Sequence, residues 1–157
     1  MSRVVNTDDN GSADAGLEFC IRLSRAYANL TRRLDNVLSG LHGLSFADFM
    51  TLYYLERAPG GRLRRVDLAE RLGLTASGVT RSLLPLEKLG LVSRQPDPRD
   101  ARVGYATLTD SGRQLLGHAV TSVRTVAQDA TEWVASEQIE AASALLGRLA
   151  GMNSSNS

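Results

Sequence analysis

The sequence predicts a mainly α-helical chain with one small two-stranded β-hairpin. Three observations predict it. Apolar residues recur at helical spacing through most of the length, and two short segments rich in β-branched and aromatic residues flank a polar stretch at 95–102 containing two prolines. Composition is that of a single domain: 157 residues, 43% hydrophobic, with 18 Lys+Arg against 17 Asp+Glu. That is enough for a real core and too little for two large domains.

Residues 1–16 and 151–157 are small, polar and aperiodic, and both are expected to be disordered tails. From Leu17 to Leu41 the apolar positions Cys20, Leu23, Tyr27, Leu30, Leu34, Val37 and Leu41 step alternately by three and four, a heptad stripe on one long helix. The other face carries Arg22, Arg25, Arg32, Arg33 and Asp35. At about 1.5 Å per residue this helix spans roughly 35 Å, more than a small domain covers alone, so a partner helix is implied.

Gly40 and Gly43 end the first helix. Ser45 then caps a second, Phe46 to Arg57, whose Phe49, Leu52, Tyr53 and Leu55 supply core surface. Ala58-Pro59-Gly60-Gly61 breaks the chain. A short helix follows, with Val66, Leu68, Ala69 and Leu72 directed inward, and Gly73 interrupts it. Thr75 opens the next, with Val79, Leu83, Leu86 and Leu89 on one face and Gly90 at a left-handed end. Pro85 cannot donate to the carbonyl of Arg81, so a kink is expected there.

Leu91 to Arg94 and Val103 to Leu108 read as the hairpin, with Gln95 to Arg102 as a long basic tip. Thr109-Asp110 caps a helix running to about Trp133. Ser136, with Glu137 beside it, starts a last one carrying Ile139, Ala142, Leu145, Leu146 and Leu149.

Charge is unevenly placed along this frame. Between Arg62 and Arg102 there are nine basic and five acidic residues, a local +4 in a chain of net +1, leaving −3 elsewhere. Seventeen of the eighteen cations are Arg, whose flat fork suits phosphates and base edges, although coding bias also produces such a composition. No apolar run is long enough for a membrane span, and the first 16 residues lack a signal-peptide core, so a cytoplasmic protein with no membrane partner is expected. A single cysteine excludes an intramolecular disulfide. With eight aromatics and two histidines, catalytic or metal constellations have little material, and no enzyme activity, cofactor or metal is expected.

The segment from Val66 to Arg81 has the form of a helix-turn-helix: small Ala69 permits close approach, Gly73 makes the turn, and the apolar positions fix the crossing. Its second helix opens with Thr75, Ser77, Thr80 and Ser82 and one Arg, groups suited to base edges and phosphates. A basic hairpin just downstream is what a winged helix needs to reach an adjacent minor groove. Arg62, Arg64 and Arg65 precede the motif and either touch phosphate or are solvated. Arg71 and Lys88 read as solvated.

Four runs together closely resemble the MarR family of winged-helix transcriptional regulators: 74–81 (LTASGVTR), 86–92 (LEKLGLV), 97–102 (DPRDAR) and 108–113 (LTDSGR). The likeness extends over roughly 17–149. It implies helical dimerisation regions at 17–42 and 113–150 flanking a winged helix-turn-helix at 45–112. It also implies a homodimer on double-stranded DNA at a pseudo-palindromic operator, usually a repressor released by a small ligand or by oxidation. Carried over by position, it makes 75–84 the recognition helix, with Thr75, Ser77, Thr80 and Arg81 facing DNA. Arg102 becomes the minor-groove arginine of the wing, Asp100 the carboxylate that orients it, and Arg99 a second tip cation, with Arg65 added at the base of the motif. Asp97 either belongs with these or simply caps the wing turn.

The resemblance also implies an effector pocket between the dimerisation helices and the winged domain, for a small aromatic or phenolic molecule. Arg25, His42, Phe46, Phe49 and Tyr53 fall where they would line it. Cys20 lies broadly where a peroxide-sensing branch keeps its reactive thiol, but the accompanying tyrosines are not evident, and Phe46 stands where one would be. Its heptad position favours a packed cysteine between subunits. Two alternatives stay open: thiol-based redox sensing through Cys20, and a winged-helix interaction module without DNA binding.

Overall fold

The computed structural model describes residues 7–100 and 103–151. Six helices and three strands follow in the order α1 (Thr7–His42), α2 (Phe46–Arg57), β1 (Arg62–Arg64), α3 (Arg65–Leu72), α4 (Ala76–Lys88), β2 (Val92–Pro96), β3 (Gly104–Leu108), α5 (Asp110–Thr131) and α6 (Ser136–Leu149), with a short 3-10 turn at Pro59–Gly61. Arg102 and the last six residues lie outside the described residues. Helix α1 begins ten residues before Leu17, so the expected tail at 1–16 is helical backbone from Thr7 onward.

The winged region is built by local signals that agree with its packing. Ser45 forms a capping box with Asp48: its hydroxyl accepts from the Asp48 N–H at 3.0 Å, while the Asp48 carboxylate accepts from the Ser45 N–H at 2.9 Å. Thr75 caps α4 by accepting from Gly78 N–H at 3.1 Å, and Thr109 caps α5 by accepting from Gly112 N–H at 3.0 Å. Gly73 closes α3 at φ +64°, a left-handed conformation that glycine reaches without the steric cost of a side chain. Helix α4 runs on through Pro85 to Lys88 as one element.

The expected two-stranded hairpin is a three-stranded antiparallel sheet of order β1-β3-β2. Strand β1 pairs Arg62, Leu63 and Arg64 with Thr107, Ala106 and Tyr105. Three residues are too few for alternation to show in sequence, and the partner lies more than forty residues away. Only Leu63 of the three is buried.

One core joins Leu34, Leu38 and Leu44 to Phe49, Leu52 and Leu55 of α2, Leu68 of α3, Val79, Leu83 and Leu86 of α4, Ala106 and Leu108 of β3, and Leu116 and Ala119 of α5. Gly112 is buried at the tightest point. A β-carbon there would strike the Leu91 carbonyl and come within 2.8 Å of Leu108 Cδ1. Two expected core positions are on the surface instead: Val66 is 60% and Leu89 64% exposed. Both sit in a terminal turn of their helix, where chain geometry at the cap overrides the periodic face.

The heptad stripe divides in two. Leu34 is buried against the domain, and Leu38, off the stripe, is fully buried. Tyr27 is 64% and Leu41 70% exposed, and Leu17, Phe19, Ile21, Leu23 and Leu30 are also open to solvent. Helix α6 buries no residue, with Leu145, Leu146 and Leu149 exposed.

Candidate nucleic-acid interface

The basic cluster between Arg62 and Arg102 sorts into side chains that hold the domain together and side chains that do not. Arg64 is bonded twice to Asp67, Nε to Oδ2 at 2.8 Å and Nη2 to Oδ1 at 3.1 Å. That pair, mainly through its hydrogen bonds, raises the Arg64 pKa above its ordinary value. Arg94 is bonded twice to Glu87 at 3.1 and 3.2 Å. Arg62 lies over the Tyr105 ring with its guanidinium carbon 4.8 Å from the centroid, and Arg71 over Tyr54 at 5.9 Å. Arg65 is half-buried and donates toward Thr80. Among the described residues, the side chains of Arg81 and Arg99 are exposed and have no hydrogen bond or ion pair, and Lys88 is likewise unpaired.

The hydroxyls of α4 are less uniform than their sequence suggests. Thr75 Oγ1 already accepts from Gly78 N–H and lies 3.2 Å from Ser77 Oγ. Thr80 Oγ1 donates to the Ala76 carbonyl at 3.2 Å, and Ser82 Oγ to the Val79 carbonyl at 2.9 Å. Thr80 and Ser82, both half-buried, thus have their protons committed, and Thr80 Oγ1 also accepts from Arg65. Ser77 is exposed at the first turn.

Asp97 is the organiser of the wing turn. Its Oδ1 accepts from the Arg99 N–H at 2.7 Å, its Oδ2 from the Tyr105 hydroxyl at 3.2 Å, and its own N–H donates to the Val103 carbonyl at 2.9 Å. The cap reading of Asp97 is therefore the structural one. The Asp100 carbonyl accepts from the Val103 N–H at 2.9 Å, and its side chain is half-buried. Arg102, expected at the wing tip, is outside the described residues.

A second site lies between α1, α2 and α5. A cavity of about 340 Å³ is lined by Phe46, Phe49 and Tyr53, all expected, and by Leu30, Leu34, Met50, Val120, Val123, Arg124 and Ala127. Phe46, Phe49 and Tyr53 form a stacked row with centroids 6.1 and 5.8 Å apart. Arg124 is the single charged residue of the lining. Arg25 and His42 do not line it: Arg25 is exposed, and His42 bonds Ser122 at 2.8 Å across α1 and α5. The α5 residues were missed because side chains some 75 positions away in sequence give no local sign of facing Phe46. Cys20 is exposed, not packed within the chain. Among the described residues no His, Cys, Asp or Glu cluster could hold a metal ion, and no helix is long and apolar enough to cross a membrane.

A helix-turn-helix followed by the β2-β3 wing, with unpaired cations on its second helix and at the wing turn, is the architecture of a winged-helix DNA-binding regulator. Comparison with known proteins agrees. A sequence profile of the MarR family matches residues 42–103. The regulator YdgJ of Bacillus subtilis is 33% identical over 69 residues, covering 44% of this chain and 40% of its own length. MhqR of the same organism is 25% identical over 140 residues, 89% of this chain and 94% of MhqR. Among solved structures, the regulator BldR from Sulfolobus solfataricus superposes with a TM-score of 0.77 at 28% identity, covering 87% of this chain and 97% of BldR. Sco3205 from Streptomyces coelicolor, a MarR family regulator solved in complex with DNA, does so at 0.75 and 25% identity, covering 96% and 95%. The chain is thus similar to MarR family winged-helix transcriptional regulators, in the family match over 42–103 and in fold over most of its length.

Proposed function

We propose that the chain acts as a homodimer that binds a pseudo-palindromic operator in double-stranded DNA, represses from it, and is released by a small apolar or aromatic effector. Helix α4 enters the major groove with Ser77 and Arg81 as its reading side chains and Thr75 and Thr80 as supporting hydroxyls. The wing supplies Arg99 and Arg102, with Asp100 orienting the tip. The observation that carries this reading is the division of the basic cluster. The arginines engaged with protein groups lie on β1, α3 and β2, whereas the side chains of Arg81 on α4 and Arg99 at the wing turn are exposed and unpaired, as phosphate and base contacts require.

The exposed apolar faces of α1 and α6 supply the dimer contact, which assigns 17–42 and 113–150 to dimerisation and 45–112 to DNA. The cavity is the effector site. A volume of about 340 Å³ suits a small aromatic molecule, and Arg124 at its wall suits one bearing a carboxylate or phenolate.

Selection of bound fragments from sheared genomic DNA, followed by fluorescence anisotropy, tests the reading. An inverted repeat should be enriched and bound at least about 1,000-fold more tightly than random duplex. Arg81→Ala should cost about 1–3 kcal/mol on that site. Equal affinity for random duplex would remove the proposal. A panel of aromatic acids and phenols should include members that dissociate the complex, and Arg124→Gln should desensitise it to the acids.

A further inference from the structure

We infer that Arg65 is a positioning residue that ties the wing to the recognition helix, and that glycine stands at 104 to leave room for it. This rests on the DNA-binding reading above. Arg65 is the first residue of α3 and follows directly on β1, whose last residue, Arg64, pairs with Tyr105. Unlike Arg62 and Arg64, it turns inward and is half-buried.

Its guanidinium touches two separate elements. Nη1 donates to Thr80 Oγ1 at 3.4 Å, and Thr80 passes its own proton to the Ala76 carbonyl at 3.2 Å. The two bonds share one oxygen in complementary roles and hold the Thr80 rotamer. On its other side the guanidinium lies against the backbone of Gly104, the first residue of β3. A β-carbon built there would stand 2.8 Å from Arg65 Nε and 3.0 Å from Cζ, closer than such contacts occur, and its three nearest neighbours all belong to Arg65. Gly104 has ordinary backbone angles, since it is not among the glycines with positive φ. Space for the guanidinium, not conformational freedom, is therefore what a side chain at 104 would remove. Gly104 also pairs with Pro96 at the rung next to the wing turn, so Arg65 joins the outer end of the β2-β3 hairpin to the middle of α4.

The clashing group is the far end of a flexible side chain, so Gly104→Ala should displace Arg65 without unfolding the protein. That variant changes no charge, which separates positioning from phosphate contact. Full-length wild type, Gly104→Ala, Arg65→Met, Arg65→Lys and the double variant Arg65→Met/Gly104→Ala are compared by anisotropy on the selected operator from 50 to 200 mM salt. Gly104→Ala is expected to lose about tenfold in affinity, the equivalent of one charge-assisted hydrogen bond, with an unchanged salt slope. Arg65→Met should lose a similar factor, Arg65→Lys should not restore it, and the double variant should be no weaker than the poorer single one. In the free protein, Gly104→Ala should shift the amide resonances of Thr80 and Arg81.

Wild-type affinity in Gly104→Ala together with a reduced salt slope in Arg65→Met would make Arg65 a plain phosphate contact and overturn the inference. Unmoved Thr80 and Arg81 resonances would overturn it without reference to DNA. A wild-type protein that prefers no duplex while those resonances move would instead remove the function and leave the clamp standing.

Discussion

Gly112 explains why the run 108–113 has the composition it does. Thr109 caps α5 and sends its own hydroxyl to the Gly90 carbonyl at 2.6 Å, while its N–H donates to the Leu91 carbonyl at 3.1 Å. The first turn of α5 is thereby drawn onto the end of α4, and only a residue without a side chain fits against the Leu91 carbonyl. Backbone cannot move aside as a side-chain tip can. Gly112→Ala should therefore destabilise by about 1–3 kcal/mol, read as a lowered urea midpoint at unchanged slope. An unchanged midpoint would mean that the strand and helix separate freely. The likeness in sequence made this glycine visible, but its reason appears only with Leu91 beside it. Asp97 is the reverse case: its place in the wing was legible, and geometry chose the turn cap over a tip contact. Tyr105→Phe removes one of its bonds and should cost about 0.5–1.5 kcal/mol, measured by thermal melting.

Element boundaries were most legible where capping chemistry is local. Ser45, Thr75 and Thr109 each sit at the predicted start of their helix because a hydroxyl and an N–H three residues on are enough to define it. Ser45→Ala should cost about 1 kcal/mol, since the hydroxyl half of the capping box is lost while the backbone N–H at 45 still donates to Asp48. A melting temperature equal to wild type would show that packing of Phe49 and Leu52 alone sets the start of α2. Strand β1 was not legible, because its identity depends on β3 and not on its own three residues. For the same reason the apolar period points Val66 and Leu89 inward although both are exposed: period alone does not register that the ends of a helix overhang the core. The cavity was half legible, since Phe46, Phe49 and Tyr53 follow from α2, whereas Val120, Val123 and Arg124 require knowing how α5 crosses it.

Across the whole molecule, apolar surface is distributed as a domain plus an unpaired arm. The wing region has a closed core, while α6 buries nothing and the first half of α1 exposes a heptad stripe. A monomer with this surface would be sticky, as large exposed apolar patches are uncommon on isolated soluble chains. Sedimentation at micromolar concentration should give twice the monomer mass. Leu145→Glu/Leu149→Glu should halve it while leaving the wing region folded, and a wild-type monomer would contradict this. On the proposed homodimer reading, loss of the dimer should also abolish tight operator binding, because its two recognition helices would share one site.

That coupling is the claim on which the account turns, and operator spacing measures it directly. Once the inverted repeat is known, affinity is measured on duplexes in which its half-sites stand at their natural separation or are moved apart by five base pairs, which places them on opposite faces of the helix. Two recognition helices held rigidly one turn apart, about 34–36 Å, should lose at least about tenfold in affinity on the altered duplex. Equal affinity on both would mean that each chain binds its half-site alone.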